Sequence, residues 1–255
     1  MKLFGIAAIA AISQGANIVK RDAEGAVEDT CYKNGEEIEQ CNPRGVMDTA
    51  PASDVDERED RRYVDLSLMS IKHWKKQGNG KEWDERKFWG YGCHCFMVGD
   101  RPMSDMGHGK PVDALDSACR LWKDCQKCVR ENHGDDCIGE MVKYTWKYSS
   151  KLQTFVMMNK PGTCARELGE CDLKFVFDTY ANKDAYNEDK NYFFGGFDKN
   201  DDQQNCPSTP GTPVEHQCCG GYSSPWYWIS SNKQQCCKDS SNNKIQQPVD
   251  VNATC

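Results

Sequence analysis

Pro111-Val112-Asp113-Ala114-Leu115-Asp116-Ser117-Ala118-Cys119-Arg120-Leu121-Trp122-Lys123-Asp124-Cys125 is the stretch on which the reading of the fold turns. Leu115, Cys119 and Trp122, continued by Gln126, recur at spacings of three and four, which places them on one face of a helix over 113–131. Upstream lies Tyr91-Gly92-Cys93-His94-Cys95, opening on a Gly90-Tyr91-Gly92 turn signal and joined to the helix by a loop of Gly, Pro, Met and Asp. Further upstream a helix begins near Tyr63. Val64, Leu68, Ile71 and Lys75 share a face, Leu66 and Met69 flank it, and Gly78-Asn79-Gly80 ends it. Downstream, Lys143 to Ser149 alternates aromatic and polar residues, predicting a short β-hairpin. Residues 165–181 read as a third helix with Leu168, Cys171, Phe175 and Val176 at core spacing. From Tyr192 on, Gly and Pro multiply and the doublets Cys218-Cys219 and Cys236-Cys237 appear. That composition predicts a small module with little regular structure, dependent on disulfides for its stability.

The chain has 255 residues and 16 cysteines. An even, high count reads as a disulfide framework in a secreted chain. Lys2 followed by the apolar run Leu3 to Ile12, with small residues at Gly15 and Ala16, predicts a signal peptide over 1–16. No other run is long or apolar enough to span a bilayer, so a secreted, extracellular product is expected. Net charge is −7, but residues 22–62 alone carry 13 acidic and 5 basic side chains. That stretch reads as disordered or loosely held, the remainder is close to neutral, and a nucleic-acid partner is not indicated. Arg21 and Arg62 each close a dibasic pair that is a candidate processing site, with ordinary surface charge as the other reading. Cys31 and Cys41 either close a loop on each other or tie the stretch to the body. The expected division is a signal peptide over 1–16, an acidic propeptide-like or linker segment over 17–62, a main domain over 63–191 and a cysteine-rich module over 192–255.

The Tyr-Gly-Cys-x-Cys loop and the helix from Pro111 to Cys125 together resemble the secreted phospholipase A2 family. Gly169-Glu170-Cys171-Asp172 is similar to the family's Cys-x-Cys-Asp on the partner helix, the run around Tyr144 and Trp146 falls where the family has its β-wing, and the helix from Tyr63 where it has its interfacial helix. The resemblance covers roughly 63–190. It implies a mainly α, disulfide-rich fold with two long antiparallel helices and a short β-hairpin, to which this chain adds a small cysteine-rich irregular tail.

The departures decide the expected function. In the family a helix His activates the attacking water, and the Asp beside it holds calcium with loop carbonyls. Here those positions are Trp122 and Lys123. Indole has no acceptor with which to act as a base, and an ammonium repels calcium. Loss of the base alone lowers the rate by ~10²–10⁴, and loss of the Lewis acid lowers it further. Gln126 replaces the Tyr after the helix Cys, and His94, Phe96 and Val98 stand in a calcium loop whose glycines have been lost. Asp172 is the retained member of the network. It is expected to accept a hydrogen bond from the Trp122 indole, while Lys123 donates to the loop carbonyls. Lysine replacements of this kind occur in the family's venom homologues, which bind membranes without hydrolysis. The resemblance implies the bridges Cys95–Cys119, Cys125–Cys171, and Cys164 with Cys137 or Cys128. A further family bridge loses both ends together, at Ala118 and Asp178.

Other features are read more plainly. His133 is placed on a solvated turn. The aromatics among residues 72–89 pack inward with their lysines solvated, in preference to a membrane-surface patch. Trp226, Tyr227 and Trp228 are either an exposed binding spot or the core of the tail. Asn252 begins a glycosylation sequon. The leading expectation is a non-catalytic phospholipase A2-like protein that binds a lipid surface or an extracellular protein, with no catalytic residue, metal or cofactor. One alternative is an active calcium-dependent phospholipase A2 hydrolysing the sn-2 ester; another is a structural extracellular-matrix component.

Overall fold

The computed structural model describes residues 31–33, 36–38, 64–77, 82–95, 107–201, 204–208, 215–239 and 245–255. The predicted signal peptide, most of the acidic stretch, both dibasic pairs, Cys41, and the loop residues Phe96 and Val98 lie outside them.

Two helices carry the core. Helix α2 (Ala114–His133) starts where the Asp113 carboxylate accepts the Asp116 N–H at 2.9 Å and ends at Gly134, whose N–H caps the Arg130 carbonyl. Helix α3 (Cys164–Ala181) is capped by the Thr163 hydroxyl. Contacts between them run Trp122 to Asp172, Cys125 to Cys171 and His133 to Glu167, so one helix ascends as the other descends. The α2 face of Leu115, Cys119, Trp122 and Gln126 and the α3 face of Leu168, Cys171, Phe175 and Val176 are all buried in this seam.

Helix α1 (Val64–Lys76) packs against α3 through a different face from the one its aliphatic spacing suggests. Leu66, Met69, Ser70 and Trp74 are buried, whereas Ile71 is 47% exposed. The large indole sets the rotation. Trp74 packs edge-on to Trp83 at 5.6 Å and to Tyr180 at 5.5 Å, a contact surface that Ile71 and Lys75 cannot match.

Strands β1 (Cys31–Lys33), β2 (Glu36–Ile38), β3 (Thr145–Ser149) and β4 (Thr154–Met157) form one antiparallel sheet in the order β2-β1-β3-β4. The stretch read as a hairpin, Lys143 to Ser149, holds only β3, and its partner β4 lies beyond that stretch. The β1–β2 half of the sheet comes from the acidic stretch, which is therefore not loose along its whole length: Cys31 and Tyr32 are buried, and Cys31 is disulfide-bonded.

The tail is not irregular. After the single turn α4 (Tyr192–Gly195) it forms two hairpins, β5 (His216–Gly221) with β6 (Ser224–Ser230) and β7 (Gln234–Lys238) with β8 (Gln246–Asp250). Its glycines serve the turn between strands. Gly221 has φ +81°, and a Cβ there would meet the Trp226 ring at 2.3 Å. Cys219–Cys236 joins the two hairpins, Cys237–Cys255 closes the end, Cys128–Cys218 fastens β5 to α2, and Cys93–Cys206 fastens the preceding loop to the body. Strand β6 lies on α2 and α3. Among the described residues no cysteine is free, and no helix is long and apolar enough to cross a membrane.

Candidate functional site

The seam between α2 and α3 converges on one carboxylate. Asp172 is 4% exposed and receives three donors. The Trp122 indole N–H donates to Oδ1 at 2.7 Å, the Gln126 amide to the same oxygen at 3.4 Å, and the Tyr144 hydroxyl to Oδ2 at 2.6 Å. Burial raises the Asp172 carboxyl to about 7; the bonds from Tyr144, Trp122 and Gln126 oppose the rise and the nearby Asp65 charge adds to it. The Trp122 ring packs on Phe175 at 5.3 Å. The space beside the carboxyl is small. A cavity of about 20 Å³, bordered by Asp65, Leu66, Val142, Tyr144 and Asp172, has room for about one water.

A second cluster sits one residue along α2. Lys123 is 5% exposed, and its ammonium lies 3.2 Å from His94 Nδ1. His94 Nε2 is 3.0 Å from the Gly109 carbonyl. These contacts assign the neutral tautomer in which Nε2–H donates to Gly109 and the Nδ1 lone pair accepts from Lys123. Burial, then the Lys123 charge, lowers the His94 ring to about 3. Burial lowers the Lys123 ammonium to about 8, with Asp124 and Asp116 pulling the other way. Of the calcium-loop positions expected to face Lys123, His94 meets it through its ring, while Phe96 and Val98 lie outside the described residues.

Asp116 pins the loop to the helix. Its carboxylate accepts from the backbone N–H groups of Cys93 at 2.9 Å, His94 at 2.8 Å and Val112 at 3.0 Å. Gly92 admits this close approach, since a Cβ there would lie 2.4 Å from the Asp116 carboxyl carbon at φ +57°. The bridges Cys95–Cys119, Cys125–Cys171 and Cys137–Cys164 hold the loop, the seam and the end of α2 in place, while Cys128 pairs with Cys218 in the tail.

Three partners escape a reading of the sequence alone. Tyr144 stands there only as part of an aromatic run, yet it holds the second oxygen of Asp172. Asp65 accepts the Trp146 indole N–H at 3.0 Å. Glu167, 1% exposed, accepts from His133 Nε2 at 2.8 Å, the Trp226 indole at 2.6 Å and the Tyr222 N–H at 2.8 Å. His133 is therefore the last residue of α2, held against a buried glutamate, and not part of a solvated turn. The available signal is the apolar company of Glu167 in the helix pattern, which makes a charged residue there a residue in need of partners. Trp226 is half-buried against the body, and Tyr227 and Trp228 are half-exposed beside Lys174 and Lys127. Of the aromatics at 72–89, Trp74 and Phe88 are buried and Trp83 and Trp89 partly so, while Lys75, Lys76 and Lys87 are exposed. Asn252 is exposed in the turn after β8.

Among the described residues the most exposed aromatic group stands elsewhere. Tyr192, Phe193 and Phe194 are 58%, 58% and 54% exposed in the single turn of α4. Asn191 beneath them is fully buried. Its amide donates to the Lys87 and Trp89 carbonyls, and its side-chain oxygen accepts from the Phe193 and Phe194 N–H groups at 2.8 and 3.2 Å. The turn is thus presented on a fixed base.

No protein-family model matches the chain. Among known proteins, it is 31% identical over 129 residues to the basic phospholipase A2 homolog acutohaemolysin of Deinagkistrodon acutus, covering 51% of this chain and 81% of that one. It is 30% identical over 126 residues to the basic phospholipase A2 homolog LmutTX of Lachesis muta muta, covering 49% and 91%. It is 35% identical over 127 residues to the basic phospholipase A2 BP-I of Protobothrops flavoviridis, covering 49% and 79%.

Proposed function

The chain belongs to the phospholipase A2 family, and on that premise we propose that it is a secreted, non-catalytic member that acts by binding a phospholipid surface. The observation that carries the reading is the bond from the Trp122 indole to Asp172 at 2.7 Å. An indole fills the position from which an imidazole would activate water, and it offers a donor where a base needs a lone pair. The residues also do not fit a calcium ion. A buried ammonium, Lys123, stands where the family places a carboxylate ligand, and its charge repels a divalent cation.

Binding in place of catalysis is supported by the three exposed aromatics of α4, whose rings suit the boundary between headgroups and acyl chains. Secretion is supported by the seven bridges among the described residues, since such a framework persists in oxidising compartments. The test is to mix the protein with phosphatidylcholine–phosphatidylserine vesicles and calcium, and to measure fatty-acid release and co-sedimentation in the same sample. The expected result is pelleting with the vesicles and no release above a calcium-free blank. Calcium-dependent release would overturn the non-catalytic reading. Absence from the pellet would overturn the lipid reading and favour an extracellular protein partner or a matrix role.

A further inference from the structure

The β1–β2 hairpin is joined in sequence to α1 only through residues 39–63, yet it is built into the body of the protein. Strand β1 pairs with β3 in a fixed register, Cys31 opposite Lys147, Tyr32 opposite Trp146 and Lys33 opposite Thr145. The Tyr32 ring stacks on Trp146 with centroids 4.7 Å apart and planes within 22°. Lys72 of α1 reaches over the same ring, 4.4 Å from its centroid, and donates to the Tyr32 hydroxyl at 3.0 Å. The Tyr32 hydroxyl in turn donates to Glu37 on β2 at 3.1 Å. Trp146, fully buried, is fixed from behind by its bond to Asp65. One aromatic side chain thus gathers a strand, a helix and the hairpin's own second strand.

This attachment is non-covalent. The seven described bridges pair fourteen cysteines of residues 93–255 with one another, which leaves none of them to bond Cys31. We propose that the β3 edge, with Trp146 and Lys72, is a strand-binding site whose occupant is this chain's own segment Cys31–Ile38, and that the segment stays docked after the chain is cut before α1. The segment Cys31–Ile38 is then a resident part of the molecule and not shed with a leader. The hairpin also closes the β3 edge and leaves exposed Glu36 and Glu37 on the outer strand, charges that discourage further strand addition.

The test is a full chain in which a site-specific protease sequence replaces residues 50–58, cut to completion and run on non-reducing gel filtration at micromolar concentration. The expected result is one native peak holding both pieces, with the pieces separating on a denaturing non-reducing gel. In the same design Tyr32→Ala weakens retention by ~10-fold or more, the loss of a buried aromatic pair and its burial. Uncut Tyr32→Ala keeps its far-ultraviolet dichroism and a cooperative thermal transition, which separates loss of docking from loss of folding. Lys72→Met provides a second variant that leaves β1 unaltered. Separation of the pieces in the cut parent protein, their persistence together on the denaturing non-reducing gel, or equal retention in both variants and the parent would overturn the proposal.

Discussion

Asp172 is a carboxyl kept from water by the groups that bond it. Burial outweighs its three hydrogen bonds and holds its pKa near 7, against 3.8 for an unperturbed aspartate. The folded state therefore binds this proton more tightly than the unfolded chain does. Its favourable contribution is full below about pH 4, falls as pH rises through about 7, and stays constant above that. Asp172→Asn removes the titration. The difference in unfolding free energy between the two proteins, measured by urea denaturation from pH 4 to pH 8, is expected to shift in favour of the variant as pH rises through that window and to be flat beyond it. An unchanging difference would show that Asp172 does not titrate there. The chemistry of Trp122 and Lys123 is legible residue by residue in the sequence, because chemical capacity is a property of the side chain itself. The roles of Tyr144 and Glu167 are not, because which hydroxyl or carboxylate meets which partner depends on the crossing of distant segments.

At the scale of elements, α2 and α3 are legible because periodicity and caps are local, and the core-facing positions of both helices follow from spacing alone. Helix α1 is legible in place but not in rotation, since Trp74 and its aromatic neighbours, and not the aliphatic spacing, choose the buried face. The tail strands are hidden by glycines and prolines, which read as breakers, although Gly221 is there to make room for Trp226. The contact of β6 with the helix seam runs through Glu167. Glu167 holds the Trp226 indole, the Tyr222 N–H and His133 together. Its pKa is pushed up by burial, but the bonds from His133, Trp226 and Tyr222 outweigh burial and lower it overall. Glu167→Ala leaves three donors without their acceptor and is expected to cost about 2–4 kcal/mol. Chemical denaturation gives that number, and a cost below about 0.5 kcal/mol would mean that the tail docks without the carboxylate.

Across the whole molecule, disulfides join what the sequence spells as separate composition zones. Cys128–Cys218 spans 90 residues and Cys93–Cys206 spans 113, so the tail is bound to the body at both its approach and its first strand. Replacing Cys128 and Cys218 together by Ala is expected to cost about 2–4 kcal/mol while Cys125–Cys171 keeps α2 and α3 joined. The check is a two-step thermal melt in which the tail signal is lost first; a single unshifted transition would show that the bridge adds nothing to packing. The sequence by itself determined the helical periodicity of α2 and α3, the resemblance to phospholipase A2 and the side-chain chemistry at Trp122 and Lys123, because each rests on residue type at short spacing. Only the tertiary structure decided that Tyr144 holds the second oxygen of Asp172, that the tail is two hairpins fastened to the helices, and that part of the acidic stretch is a strand on the β3 edge. Those are contacts between segments tens of residues apart, and no local pattern specifies them.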